Sequence, residues 1–321
     1  MEKHCDVVHE AVESVNIYHI TVKSSDEHQS THIDGKSYEK ETMRKEKQIY
    51  YFCGGGWQSP PSKEHWKLCA KLAEAGTKAG MRTRVSVVSY PLAPNSPASV
   101  TLPLLEKVYY ALLSPPAATS STTTTTTSSP TPTSMPASEA SNTEMILAGD
   151  SSGANIALSL TLSILNANPS APIPSALLLI SPPCDLRNTN PDMSSIAPHD
   201  PVLTIPFVNS TARAWCNGTR DDTPSSPHTP VPYDDPRVSP VLADVAVLKA
   251  RGVKVHGVVG GYDVLTPDAL VFKGKLEREG LEGRWLVWEK MMHCFPLAGA
   301  GYGLPEGKEA VQWVEGVLFG E

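Results

Sequence analysis

The sequence predicts an α/β fold with a mostly parallel sheet that helices cover on both faces. Short runs of branched apolar and aromatic residues, typical of buried strands, alternate along the chain with longer segments of helical pattern. The chain has 321 residues, of which 40% are hydrophobic, so it can bury a large core. Apolar strands that alternate with helices in this way favour parallel βαβ units.

The predicted strands end at clear turn signals. QIYYFC at 48–53 stops at three consecutive glycines, and TRVSVVSY at 83–90 stops at Pro91. Strands are predicted at 17–22, 48–53, 83–90, 144–149, 175–181, 253–259 and 284–289. Helices are predicted at 62–80, 98–113, 152–166, 266–279 and 306–319, with short helical pieces in 182–240 that include 202–215.

One domain is predicted over residues 1–321, with a low-complexity insertion at about 115–141. This insertion contains the run TSSTTTTTTSSPTPTS and almost no large apolar residue. Such a segment cannot bury enough surface to offset the entropy of ordering it, so we expect a disordered surface insertion. The β/α alternation resumes directly after it, and the insertion therefore does not divide the chain into two domains.

Composition and charge exclude several classes of protein. The net charge is −7, so the chain has no electrostatic reason to bind nucleic acid or an anionic membrane face. None of the six cysteines forms a C-x-x-C pair, and we expect free thiols and no metal site. No signal-peptide core and no run of about eighteen apolar residues is present, so we expect a cytoplasmic protein without a membrane span.

The sharpest motif is Gly149-Asp150-Ser151-Ser152-Gly153, which fits G-x-S-x-G between a predicted strand and an apolar helix. A serine on a strained strand-to-helix turn keeps its hydroxyl exposed, and the flanking glycines allow close backbone passage. The helix N-terminus directs amides at the charge that forms during acyl transfer. We predict Ser151 as the nucleophile, the Ser152 amide as an oxyanion donor and Asp150 as structural.

A second motif consists of Gly54, Gly55 and Gly56, which follow the strand at 48–53. Three glycines after a strand free several amides to point at one oxygen, although glycine repeats also form plain flexible loops. Because a nucleophilic serine lies downstream, we predict these three residues as part of an oxyanion hole.

The chain resembles the hormone-sensitive-lipase-like branch of the α/β-hydrolases in motifs that follow the family's order. They are GGGW at 54–57, SYPLAP at 89–94, GDSSGAN at 149–155, YDVLTPD at 262–268 and HCF at 293–295. The resemblance, from about residue 48 to the C-terminus, implies an eight-stranded sheet, a helical cap and hydrolysis of carboxylic esters without a cofactor.

One residue departs from the family's pattern. The family usually has a histidine before the three glycines, and this chain has Cys53. The resemblance implies that this histidine braces the loop, so the brace must be different here, since a thiol is a weak hydrogen-bonding group. A buried inert cysteine is the commoner case, and a reactive thiol is the alternative.

The acid and the base should lie downstream of the serine in the sequence, because the family's order is serine, then acid, then histidine. His256 lies inside VKVHGVV and would alternate into the sheet, whereas His293 follows the last strand, where the family places its base. We predict His293 as the base. Asp263 lies at the carboxyl end of a strand and is predicted as the acid. Asp268, in the next helix, is interpreted as a first-turn carboxylate.

The cap implied by the resemblance is expected within residues 1–46 and about 185–240. We predict that Trp57, Phe207 and Trp215 line the substrate pocket.

These residues together predict a serine esterase for small-molecule substrates, short-acyl esters and in particular an acetyl ester of an apolar metabolite. Two alternatives stay open. An amidase would use the same residues, because His293 can also protonate an amide leaving group. A non-catalytic small-molecule receptor is opposed by the presence of His293. Nucleotide binding is excluded, because neither a G-x-G-x-x-G after the first strand nor a G-x-x-x-x-G-K-[ST] motif occurs.

Overall fold

The computed structural model describes residues 4–23, 45–114, 143–219 and 227–320. Its strands form one eight-stranded sheet in the order β1-β2-β4-β3-β5-β6-β7-β8. The strands are β1 (Cys5–Val12), β2 (Val15–Val22), β3 (Glu46–Phe52), β4 (Arg82–Ser89), β5 (Thr143–Asp150), β6 (Ala176–Ile180), β7 (Lys254–Tyr262) and β8 (Trp285–Met292). The pairs β1–β2 and β2–β4 are antiparallel and all other pairs are parallel, which confirms the predicted mostly parallel sheet.

Helices cover both faces of this sheet, as predicted. They are α1 (Lys63–Lys78), α2 (Ala98–Leu113), α3 (Ser152–Ala167), α4 (Met193–Ile196), α5 (Ile205–Asn217), α6 (Ala246–Ala250), α7 (Thr266–Arg278), α8 (Phe295–Tyr302) and α9 (Pro305–Phe319). Alternate residues of β3 point to opposite faces. Tyr50 and Phe52 join an apolar cluster with α2 and α3, whereas Ile49 and Tyr51 join one with α1 and α9.

The N-terminal segment corrects one expectation. Residues 5–22 form a β-hairpin on the edge of the sheet, where β2 pairs with β4, and they are not cap elements. Ile17 and Ile20 are buried in the core. The strand expected at 17–22 is therefore present. Strand β1 was not predicted, because most of its side chains are exposed and the sequence there has no apolar run. Residues 24–44 and the expected insertion at 115–141 lie outside the described residues.

Helix α5 comes from the region in which the rest of the cap was expected, and it overlaps the helical piece predicted at 202–215. Thr204 precedes it, and the Thr204 hydroxyl accepts a hydrogen bond from the Phe207 amide at 3.3 Å, a regular N-cap. Gly218 ends the helix in the left-handed conformation, with φ of 70°. Among the described residues, none of the helices is long and apolar enough to cross a membrane.

Candidate active site

Ser151 lies on the turn between β5 and α3 in a strained backbone conformation. Its φ of 50° and ψ of −127° fall in a region that side-chain-bearing residues rarely adopt. The Ser151 amide donates to the Ile180 carbonyl at 2.8 Å, and the Asn155 amide donates to the Ser151 carbonyl at 3.1 Å. The surrounding structure therefore holds the strand-to-helix turn that the G-x-S-x-G motif requires.

The two glycines of this motif are needed for close backbone contact. A Cβ atom at Gly153 would lie 2.0 Å from the Phe52 carbonyl oxygen, and one at Gly149 would lie 2.6 Å from the carbonyl carbon of Gly153. Both distances are far shorter than a van der Waals contact. The glycines thus allow β3, β5 and α3 to meet directly at the serine turn.

His293 and Asp263 form a buried hydrogen-bonded pair at the carboxyl ends of neighbouring strands. Nδ1 of His293 lies 2.8 Å from Oδ2 of Asp263, and the other carboxylate oxygen accepts from the Leu265 amide at 2.9 Å. Burial opposes a charged imidazole, but the Asp263 carboxylate outweighs this effect and raises the pKa of His293 well above its usual value. This arrangement fixes the ring and leaves Nε2 for the reaction.

His256, which was not predicted as the base, has a different environment. His256 lies within β7, and its Nδ1 accepts a hydrogen bond from the Arg284 amide at 3.1 Å. Burial, helped by nearby cations, lowers the pKa of His256 to about 4. This neutral side chain is absent from the lining of the cavity that Ser151 and His293 share.

That cavity has a volume of about 300 Å³, and Ser151 and His293 line it together. Its polar floor includes Gly54, Gly55 and Gly56. Its apolar walls are formed by Trp57, Pro183, Leu186, Val202, Leu203, Phe207, Val208, Leu265 and Leu297. The titratable side chains Asp150, His65 and His293 also line it.

Trp215 does not line this cavity, contrary to the prediction. Its side chain is fully buried and stacks on Trp57, with ring centroids 5.6 Å apart and an interplanar angle of 11°. Trp57 and Phe207, the other two aromatic residues predicted there, are lining residues. Trp215 therefore supports the cavity wall from behind.

The glycine loop contributes two residues with free amides, Gly55 and Gly56, to the cavity lining. In the described part of the chain, the amides of Gly55, Gly56 and Ser152 donate to no acceptor. The Gly54 amide instead donates to Oδ1 of Asp150 at 3.1 Å. The predicted oxyanion role of Gly54 therefore needs correction, because its amide hydrogen is already bonded.

Asp150 is the centre of a buried network that the sequence did not reveal in full. Besides the Gly54 amide, its carboxylate accepts from the Tyr51 hydroxyl at 3.0 Å and from Nε2 of His65 at 3.2 Å. Burial raises the pKa of Asp150, but His65 and these hydrogen bonds outweigh burial and lower it. His65 was missed because nothing near it in the sequence marks its contact with Asp150.

Cys53 packs in the core beside this network. Burial raises the pKa of its thiol well above the usual value, so the nucleophilic thiolate does not form at neutral pH. In the described residues the thiol makes no hydrogen bond, whereas the Cys53 carbonyl accepts from the Tyr90 hydroxyl at 2.8 Å. These properties favour the buried inert cysteine over the reactive one.

A second serine–histidine–carboxylate series occurs at the edge of the sheet. The Ser86 hydroxyl lies 2.8 Å from Nδ1 of His19, and Nε2 of His19 lies 2.9 Å from Glu10. Ser86, however, is fully buried within β4 and lines none of the cavity described above. This series therefore cannot present a nucleophile to a substrate. Among the described residues, no cluster of three or more His, Cys, Asp or Glu side chains could hold a metal ion.

The fold and the site together define an enzyme of the α/β class, with a serine on a strand-to-helix turn. The chain belongs to the alpha/beta hydrolase fold family, whose profile matches residues 49–297. This match confirms the α/β-hydrolase family indicated by the sequence motifs.

Individual known proteins agree with this assignment. An esterase from Acinetobacter venetianus is 28% identical over 265 residues, which cover 82% of this chain and 71% of that protein. The structure of an esterase from the bacterial hormone-sensitive lipase family is 20% identical, with a TM-score of 0.69, and the match covers 99% of this chain and 85% of that one. An esterase/lipase from an uncultured bacterium is 20% identical with a TM-score of 0.68, covering 98% and 84%. These two structures share the fold.

Proposed function

We propose that the protein is a serine esterase that hydrolyses short-acyl carboxylic esters through Ser151, His293 and Asp263. One observation carries this proposal: the strained serine and the buried His293–Asp263 pair meet at one cavity. The family membership and the esterase relative support the same reaction.

The reaction begins with proton transfer from Ser151 to His293. Asp263 keeps a hydrogen on Nδ1 of the imidazole, so Nε2 accepts the proton as the serine oxygen attacks the ester carbonyl carbon. Ser151 is partly exposed and lines the cavity, so its hydroxyl can turn toward Nε2 when a substrate binds. The imidazolium that forms is stabilised by the buried Asp263 carboxylate.

The negative charge on the carbonyl oxygen is stabilised by backbone amides. We assign this role to Gly55, Gly56 and Ser152, whose amides are free, and the N-terminus of α3 adds a favourable dipole. One such donor typically contributes about 100- to 1000-fold to kcat. His293 then gives its proton to the leaving alcohol, and an acyl-enzyme remains on Ser151. His293 next removes a proton from water as the water oxygen attacks the acyl carbon, and the bond between that carbon and the Ser151 oxygen then breaks. His293 returns the proton to Ser151, and the acid is released.

The substrate class follows from the size and chemistry of the cavity. A volume of about 300 Å³ is small for a ligand site and suits a short acyl chain. The largely apolar lining favours an ester without charged groups. Phe207 lines the cavity and is about half exposed, so we assign the alcohol part of the ester to its side of the cavity. An acetyl ester of an apolar alcohol meets these requirements.

Hydrolysis of p-nitrophenyl esters with acyl chains of two to twelve carbons tests the proposal. We expect the wild-type chain to favour the shortest esters, and Ser151→Ala to lose on the order of 1000-fold or more in kcat. Ser59→Ala, which alters another serine of the cavity lining, serves as the matched control and should retain activity. Undiminished hydrolysis by Ser151→Ala overturns the proposal. A matched p-nitroacetanilide in the same assay measures any amidase activity.

A further inference from the structure

The buried carboxylate next to the nucleophile makes or breaks no bond in the mechanism above. Asp150 is 2% exposed and precedes Ser151 directly. Its carboxylate accepts from Tyr51, from the Gly54 amide and from His65. A buried charge needs such donors to offset its lost hydration. Asp150 therefore links the serine turn to the first residue of the oxyanion loop, which we define as Gly54, Gly55 and Gly56.

Both carboxylate oxygens of Asp150 lie close to the first residue of the loop. Besides the hydrogen bond from the Gly54 amide, a Cβ atom at Gly54 would lie 2.3 Å from Oδ2 of Asp150. The backbone thus packs directly on the carboxylate. The free amides of Gly55 and Gly56 follow Gly54 immediately, so a shift of the Asp150 carboxylate moves them too. In the described residues, the Cys53 thiol before the loop offers it no hydrogen bond.

His65 holds this carboxylate from a rigid helix. It is the third residue of α1, and its Nδ1 accepts a hydrogen bond from the Ser62 amide at 2.9 Å. The imidazole hydrogen of the neutral ring must then be on Nε2, which points at Asp150. Nε2 also carries a hydrogen in the charged ring, so His65 donates to Asp150 in either state. The contact joins α1, which packs against the sheet, to the residue before the nucleophile.

We propose that His65 is a positioning residue for ester hydrolysis: by holding Asp150 against Gly54, it keeps the Gly55 and Gly56 amides aimed at the carbonyl oxygen. This inference rests on the proposed esterase function. His65 and Asp150 belong to the polar part of the cavity lining, so removal of their contact leaves the apolar walls in place. It loosens the two donors, whose stabilisation is greatest in the transition state. The effect therefore falls on kcat more than on KM.

Two substitutions separate this role from the capping of α1. In His65→Gln, the side-chain amide reaches the position of Nε2 and can donate to Asp150, but the acceptor for Ser62 is lost. In His65→Asn, the shorter side chain can accept from the Ser62 amide and cannot reach Asp150. We expect His65→Asn to lose about 10- to 100-fold in kcat on p-nitrophenyl acetate, with KM within about twofold. His65→Gln should recover most of kcat.

A second readout reports on the oxyanion hole itself. In a thionoester, sulfur replaces the carbonyl oxygen and is a weak acceptor, so amide donors favour the oxoester. The ratio of oxoester to thionoester kcat/KM should fall about tenfold or more in His65→Asn and stay near the wild-type value in His65→Gln. If either variant fails to fold, Tyr51→Phe, which removes another donor to Asp150, should lower the same ratio.

The outcomes are distinct. If His65→Asn keeps the wild-type kcat and the wild-type ratio of oxoester to thionoester kcat/KM, the positioning role is overturned. A lower kcat in His65→Asn with an unchanged ratio overturns it too. A loss in His65→Gln that exceeds the loss in His65→Asn overturns it as well, because the helix cap would then be the important contact. A folded wild-type chain that cleaves neither ester overturns the proposed function, and the inference with it.

Discussion

Nδ1 of His293 lies 2.8 Å from Oδ2 of Asp263, and neither side chain is appreciably exposed. The two residues are 30 positions apart, and they meet because they follow β8 and β7, which are neighbours in the sheet. The pair connects the sheet topology to the expected chemistry, since the imidazole is held by one nitrogen and presents the other to the cavity.

This pair predicts the pH dependence of hydrolysis. The neutral imidazole is the active form, so kcat/KM should fall as the pH drops through the pKa of His293. The Asp263 carboxylate raises that pKa, so the midpoint of the acid limb should lie above pH 6.5. In Asp263→Asn the midpoint should move to lower pH, and kcat should fall on the order of 10⁴-fold.

The measurement is kcat/KM from about pH 5 to pH 9. Asp268→Asn is the control, because Asp268 is bonded to Asn190 at 2.8 Å and not to His293. An acid limb that shifts in Asp268→Asn and stays in Asp263→Asn would contradict the assignment of the acid.

The close backbone contact at the serine turn predicts a stability difference between two glycines. In Gly153→Ala the new Cβ atom would lie 2.0 Å from the Phe52 carbonyl oxygen, so we expect a loss of about 3 kcal/mol in the free energy of unfolding. Gly316 in α9 has no neighbour within 4 Å of such an atom, and Gly316→Ala should gain about 0.5–1 kcal/mol. Urea unfolding measures both. Equal effects of the two substitutions would contradict the described packing.

The exposed apolar lining residue Phe207 predicts a change in KM. Phe207 is 51% exposed and lines the cavity, so Phe207→Ala should weaken binding of esters with an apolar alcohol by roughly 1 kcal/mol. That loss corresponds to a rise in KM of about fivefold, with kcat nearly unchanged. Val271, 50% exposed and outside the lining, provides the control Val271→Ala. An unchanged KM in Phe207→Ala would exclude Phe207 from alcohol recognition.

His256 predicts a loss of stability in acid. Its pKa is about 4 in the fold and 6.5 when unperturbed, so the unfolded chain binds an extra proton between these values. Its contribution is complete above pH 6.5 and declines as the pH falls toward 4, by up to about 3 kcal/mol. His256→Asn can still accept from the Arg284 amide but does not titrate. Its unfolding free energy should depend less on pH than that of the wild type, and an identical dependence would refute the prediction.

The parallel strands and their helices were predictable because each carries a strong local pattern. β3 was predicted at 48–53 and lies at Glu46–Phe52, and α2 was predicted at its observed bounds. The serine turn was predictable for the same reason, because the G-x-S-x-G motif needs a strand before it and a helix after it.

Features that depend on contacts between distant segments could not be predicted. Helix α8 is rich in glycine and packs backbone against backbone on the next helix, since a Cβ at Gly299 would lie 2.1 Å from Gly307. His65 and Asp150 are 85 positions apart. The sequence around Trp215 is equally compatible with a residue that lines the cavity and with a buried residue behind its wall. Only the fold decides among such alternatives.

Covalent labelling by a fluorophosphonate tests the central claim most directly, because an activated serine oxygen displaces fluoride and keeps the phosphonyl group. Intact mass and peptide mapping should give one adduct, on Ser151, that Ser59→Ala retains and Ser151→Ala lacks. An adduct on Ser86, beside His19, or continued labelling of Ser151→Ala together with ester hydrolysis, would contradict the assignment of Ser151 as the nucleophile.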